Sequence, residues 1–264
     1  MTEKKPTVSH DSIIENVNGD EGVSRVQYDG EGDEFVIINR KKYHRHELMQ
    51  ALGGYLNPGL APYPEFPAGN AAAVGLLSYS VCTLVLGLYY SGAMGISIPN
   101  VIVALAIFNG GIIQTLAGFW ELAMGNVFAG VAFASYGPFW FSFGVIFVDA
   151  FGILGAYKDA PEQVGNAIGF FLVGWAVFTF LLLMCTLKST VMFLGLFATL
   201  ELTFILLAAA NFTGNPDLTK AGGIMVLLSS ACGFYNGLAG ILSAQNSYFL
   251  LPELGLPVFG KQVI

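Results

Sequence analysis

Six apolar segments, at 70–90, 100–121, 127–149, 163–186, 189–211 and 220–244, decide what this chain can fold into. At about 1.5 Å of rise per residue, each is long enough as a helix to cross a hydrocarbon layer roughly 30 Å thick. Helices of that length satisfy their own backbone hydrogen bonds where no water is present. The expected fold is therefore an all-α integral membrane protein with six transmembrane helices. Composition agrees, since 55% of the residues are hydrophobic and 11% charged, against about 25% charged in soluble domains. The tight connections at 124–126 and 187–188 make spans two and three, and spans four and five, antiparallel neighbours.

Ahead of the first span the chain changes character. Eleven of the eighteen acidic residues precede Asn70, so the net charge of -7 belongs to soluble ends and says nothing of a nucleic-acid partner. Residues 1–34 are polar, acidic and without an apolar signal-peptide core, the composition of a disordered tail. Residues 35–69 read as a membrane-surface lead-in. They hold a β-prone run at 35–39, an amphipathic helix over 43–55 carrying Leu48 and Leu52, and a proline-rich extended stretch at 57–67. Residues 70–244 form the membrane domain and 245–264 a carboxyl-terminal tail. Lys4, Lys5, Arg25, Arg40, Lys41, Lys42 and Arg45 join Lys188 and Lys261 on one side, whereas the opposite loops hold only Lys158 and Lys220. The excess of positive charge puts both termini in the cytoplasm.

Within the spans the polar side chains are few, and they set the chemistry. The run Ser135, Tyr136, Gly137, Pro138, Phe139, Trp140 places a tyrosine hydroxyl and a proline-loosened turn at mid-depth of span three. Two readings fit it: a site on an aqueous path, or a structural tyrosine bonded to a neighbouring helix. Glu201 lies midway along span five, where a carboxylate costs roughly 2.5 to 3.5 kcal/mol on insertion scales. It is a candidate for proton coupling, or a neutral acid bonded to another helix or subunit. Glu121 and Asp149 stand near interfaces, and Glu121 is the second coupling candidate. Asn109 and Gln114 are candidate polar lining; the pairs Gly165/Gly169 and Gly233/Gly237 are helix-packing or subunit contacts.

Much is excluded. No arginine, lysine or histidine lies well inside a span, so a multivalent anion would find no buried countercharge. Cys82, Cys185 and Cys232 have no paired spacing, and no nucleotide loop, nucleophile elbow or metal motif occurs. No cofactor and no enzymatic activity are expected. The residues on their own describe a channel or transporter for a small, weakly charged solute.

Several stretches in the same order carry a further implication. Asn70, Gly75 and Leu76 frame an Asn-Ala-Ala-Ala-Val-Gly-Leu opening of span one; Ser135, Tyr136, Gly137, Phe139 and Trp140 follow in span three, and Thr186 to Val191 read Thr-Leu-Lys-Ser-Thr-Val. Together these resemble the acetate uptake transporter family, which includes the bacterial succinate-acetate permease and the fungal ammonia-transport-outward proteins. The resemblance implies a six-helix protomer, a homohexamer, and one narrow path per protomer. It puts the pore constriction at Tyr79, Tyr136 and Leu200, with Tyr79 standing where the bacterial protein has phenylalanine. Ala71 and Ala73 replace the family's two prolines, so a straighter helix entrance is expected. No family role transfers to Glu201. The implied activity is proton-coupled movement of acetate or another short monocarboxylate across the plasma membrane; ammonia or ammonium export, and a non-transport membrane sensor, are the alternatives.

Overall fold

Three asparagines and a threonine mark where four of the membrane helices begin. Asn70, Asn126 and Thr190 each stand just before an apolar run, and each side chain accepts from the amide three residues on, at 3.3, 3.3 and 3.2 Å. Asn215 accepts from the Asp217 amide at 2.9 Å. Pro216 follows it at the first helical position, where a missing N–H costs nothing. In the computed structural model, which describes residues 27–30, 34–51, 69–96, 98–252 and 254–257, the spans are α1 (Ala71–Tyr90), α2 (Ile102–Ala123), α3 (Val127–Ile146), α4 (Gln163–Cys185), α5 (Val191–Thr213) and α6 (Pro216–Ala239). All six are long and apolar enough to cross a membrane.

The sixth helix corrects the sequence reading. It starts at Pro216 rather than at 220, because Asn215 caps it, and it stops at Ala239, with Gly240 as its C-cap, rather than at 244. Span three likewise ends at Ile146, three residues before Asp149. The helix continues through Pro138, whose ring faces outward, and Ser142 Oγ donates to the Pro138 carbonyl at 2.7 Å.

Close approach sets the helix pairing. A Cβ on Gly118 of α2 would collide with the Ala134 backbone nitrogen of α3, and one on Gly137 of α3 would collide with Thr115 Oγ1 of α2. Only glycine lets the two backbones meet there. Both small-residue pairs also pack inside the protomer: Gly165 and Gly169 of α4 against Asn211 and Phe212 of α5, and Gly233 and Gly237 of α6 against Ser80 and Leu77 of α1.

Leu105–Ile113 in α2 is wound as a π-helix. Its centre is stitched to α1: Ser78 Oγ donates to the Asn109 carbonyl at 2.7 Å, and Asn109 Nδ2 returns a bond to the Ser78 carbonyl at 3.0 Å. Asn109 therefore joins two helices and lines neither internal cavity.

The amino-terminal unit is separate from the membrane unit, which begins at Ala68. In it, β1 (Gln27–Asp29), β2 (Phe35–Ile38) and β3 (Lys41–His44) form an antiparallel sheet in that order, followed by a short helix at Arg45–Ala51. Asn39 and Arg40 both take positive φ, 52° and 63°, which gives the two-residue hairpin turn the right twist. This corrects two expectations. β1 lies within the stretch read as disordered, because cross-strand pairing of Tyr28 with Val36 supplies what its composition lacks. The helix expected over 43–55 begins only at Arg45, since Tyr43 is held in β3. The rest of 1–34 and the lead-in at 57–67 fall mainly outside the described residues.

Candidate functional site

The odd-numbered helices run in one direction, so α1, α3 and α5 all start on the same side of the bundle. Each presents one continuous stripe to the interior. On α1 it is Leu76, Tyr79, Thr83, Leu86 and Tyr90, at the spacing that keeps side chains on one helix face. The stripes enclose two cavities, one of about 260 Å³ near the helix starts and one of about 30 Å³ toward the opposite ends. The larger would hold a small organic solute, the smaller about one water.

Three residues line both cavities: Tyr79, Tyr136 and Leu200. Each is 4 to 5% exposed. The constriction residues implied by the resemblance are thus brought together between two chambers, one from each odd helix.

The two tyrosines sit there differently. The Tyr79 hydroxyl is 2.6 Å from Ser229 Oγ of α6, and Ser229 in turn donates to the Leu196 carbonyl at 2.9 Å. Ser229 has one proton and it is spent on that carbonyl, so Tyr79 must donate to Ser229. The hydroxyl that distinguishes Tyr79 from phenylalanine is committed to Ser229, which lines neither cavity. The Tyr136 hydroxyl lies 2.8 Å from Thr179 Oγ1 of α4. That pair shares two protons and one bond, so one donor stays uncommitted. The Tyr136 oxygen is tied to a neighbouring helix, and the residue also lines both cavities. Ser229 and Thr179, both fully buried, were missed in the sequence because lone hydroxyls in apolar helices usually bond back to their own backbone.

The remaining candidates fall into place around this core. Asn70 caps α1 and donates through Nδ2 to the Gly240 carbonyl at 3.0 Å. Gly75 packs on the Phe133 ring, and Leu76 lines the larger cavity. Gly137 makes the α2–α3 approach, whereas Phe139 and Trp140 wall the smaller cavity. Ser135 is half-buried and lines neither. Gln114 is fully buried in the wall of the larger one. Glu121, 6% exposed, accepts from Asn126 Nδ2 at 2.6 Å, and Asn126 also lines that cavity. Glu201 belongs elsewhere. It faces an outward groove of about 410 Å³ between α4 and α5, walled by exposed Val173, Val177, Phe180 and Ile205. It touches neither conduit cavity.

With this geometry in place, comparison with known proteins gives a family. The sequence profile of the GPR1/FUN34/yaaH family matches residues 52–258. The chain belongs to that family. The match spans all six helices, and two relatives and one structure extend it. The chain is 47% identical to ammonia transport outward protein 2 of Saccharomyces cerevisiae, over 90% of this chain and 84% of that one. It is 38% identical to acetate permease A of Emericella nidulans, over 81% of this chain and 75% of the relative. The solved structure of the bacterial acetate channel SatP superposes with a TM-score of 0.63 at 32% identity, covering 70% of this chain and 99% of that one. These relatives are named for transport rather than for catalysis. Six apolar helices and this membership make the chain an integral membrane protein of the transporter class.

Proposed function

We propose that this protein moves acetate and similar short monocarboxylates across a membrane through a conduit inside each protomer, with Tyr79, Tyr136 and Leu200 as the gate. The observation that carries the reading is that the two cavities have those three residues in common and no others. Largely apolar walls with few polar groups suit a small acid and penalise a larger or doubly charged one. The names of acetate permease A and the bacterial acetate channel favour this solute. Proton coupling belongs to the proposal, as do the plasma membrane, cytoplasmic termini and assembly as a homohexamer. So does the division into a tail at 1–34, a lead-in at 35–69, the helices at 70–244 and a tail at 245–264. Glu201, off the conduit, is not assigned the proton; Glu121 lies beside its wider end.

Uptake of labelled acetate into proteoliposomes, with and without an inward proton gradient, tests the reading. Saturable uptake that the gradient accelerates is expected. Uptake equal to that of protein-free vesicles under both conditions would end it. A second reading, passage of ammonia, is favoured by the yeast relative's name. Stopped-flow alkalinisation of the same vesicles on mixing with ammonium separates the two, because only an ammonia path raises the rate above that of empty liposomes.

A further inference from the structure

The outward groove between α4 and α5 holds a group that its own protomer leaves unsatisfied. Glu201 lies midway along α5, next to Leu200. Neither of its carboxyl oxygens is hydrogen-bonded among the described residues; Oε2 is enclosed, which leaves Oε1 as the oxygen a partner can reach from the groove. Apolar side chains on the outside of a membrane bundle are ordinary, because acyl chains cover them, but acyl chains offer a carboxyl neither donor nor acceptor. Whatever fills the groove must bring a hydrogen-bonding group to this depth. The buried Ala176 and Ala208 leave space between the exposed Phe180 and Phe212, so the groove suits a narrow ridge of small side chains.

Another face of the same chain has that ridge and that group. On α3, Val131, Ser135, Pro138 and Ser142 stand at the spacing of one helix face. Ser135 is half-buried and the other three are exposed, and none of the four lines either internal cavity. Ser142, Thr115, Thr199 and Thr203 each return the hydroxyl proton to the carbonyl four residues back, whereas Ser135 Oγ forms no hydrogen bond among the described residues. Ser135 precedes Tyr136 as Glu201 follows Leu200, and Tyr136 and Leu200 line the same two cavities on helices that run in one direction. The two unpaired groups therefore lie at similar depth, on different helices, and are not bonded to each other within the protomer.

We propose that the α4–α5 groove is filled by α3 of a second copy of this chain, with the partner's Ser135 hydrogen-bonded to the Glu201 carboxyl. A neutral acid carries one donor and an acceptor, a hydroxyl the complement, so the pair needs no charge. The contact joins two different surfaces and is head to tail. Copies related by an axis along the membrane normal keep both groups at one level, and such contacts close into a ring. This rests on the assembly part of the reading above and makes no use of the solute.

Cross-linking of the full chain in membranes tests it. On a Cys185→Ser background, which removes the exposed native cysteine, a variant carrying Ser135→Cys and Glu201→Cys is treated with a short reducible dithiol cross-linker. A ladder of covalent oligomers that reductant collapses is expected. Each single variant is expected to stay at background, and the two single variants expressed together to stop at dimers. Ser135→Ala is expected to raise the dissociated fraction of the purified protein about three- to tenfold, and Glu201→Gln, which keeps a donor and an acceptor, to change it less than about twofold. A cross-link in Glu201→Cys alone would mean that like faces meet and would overturn the proposal. So would a double variant no more cross-linked than background, and light scattering on the wild-type protein then separates the readings. Oligomers without the cross-link sink this contact and leave assembly standing, with lipid in the groove; monomers sink both, and acetate flux by such monomers leaves the transport reading in place.

Discussion

At the scale of single residues, the two gate tyrosines separate by where their protons go. Tyr79 spends its proton on Ser229, so Tyr79→Phe should leave acetate flux within about twofold of wild type. It should cost stability of the order of one buried membrane hydrogen bond, roughly 0.6 kcal/mol, read as a small drop in thermal midpoint. Tyr136→Phe removes the hydroxyl that bonds Thr179 and leaves that threonine's proton without its partner. Acetate flux should fall about three- to tenfold with a stability loss similar to that of Tyr79→Phe, and unchanged flux would show that the ring alone matters. Leu200 contributes bulk without polarity. Leu200→Ala should raise lactate flux relative to acetate about three- to tenfold, measured with labelled solutes in the same vesicles.

At the scale of elements, the bundle depends on places where no side chain is tolerated. Gly118→Ala pushes a methyl into the Ala134 backbone, which cannot rotate aside. Overpacking of this kind costs about 1 to 3 kcal/mol, or about 2 to 10 °C in thermal midpoint for a chain of this size. Gly174 on α4 has open space around its Cβ direction, so Gly174→Ala should be neutral or mildly stabilising. The six spans were legible because about twenty mostly apolar residues in a row leave the backbone few other choices, and the three residues shared by the two cavities were legible through the Ser135 to Trp140 motif and its partners. What escaped was whatever depends on a neighbour. The π-turn at Asn109 needs Ser78 of another helix. The start of α6 hides behind a proline that reads as a breaker until Asn215 is seen to cap it. The sheet at 27–44 needed a partner strand that the acidic composition around β1 concealed. The groove that Glu201 lines, between α4 and α5, escaped for the same reason: depth in the bilayer can be counted along a chain, but facing cannot.

At the scale of the whole molecule, the two internal cavities are lined mainly by α1, α3 and α5, with Gln114 of α2 and Leu172 of α4, and the amino-terminal unit is compact by itself. Deleting 1–34 should therefore leave acetate flux within about twofold of the full chain once expression is matched. Loss of flux would move the functional weight to the tail and revive the sensor alternative. The far end of the chain plays another part. The Val191 amide, first in α5, donates to the Leu254 carbonyl at 2.8 Å, the Leu256 amide donates to the Ser189 carbonyl at 2.9 Å, and Tyr235 Oη donates to the Pro252 carbonyl at 2.7 Å. The helix that carries Leu200 thus has its opening turn fastened by residues made more than sixty positions later. During synthesis that latch can close only after residue 256 has been added, so a growing chain holds its six helices before it holds a finished doorway.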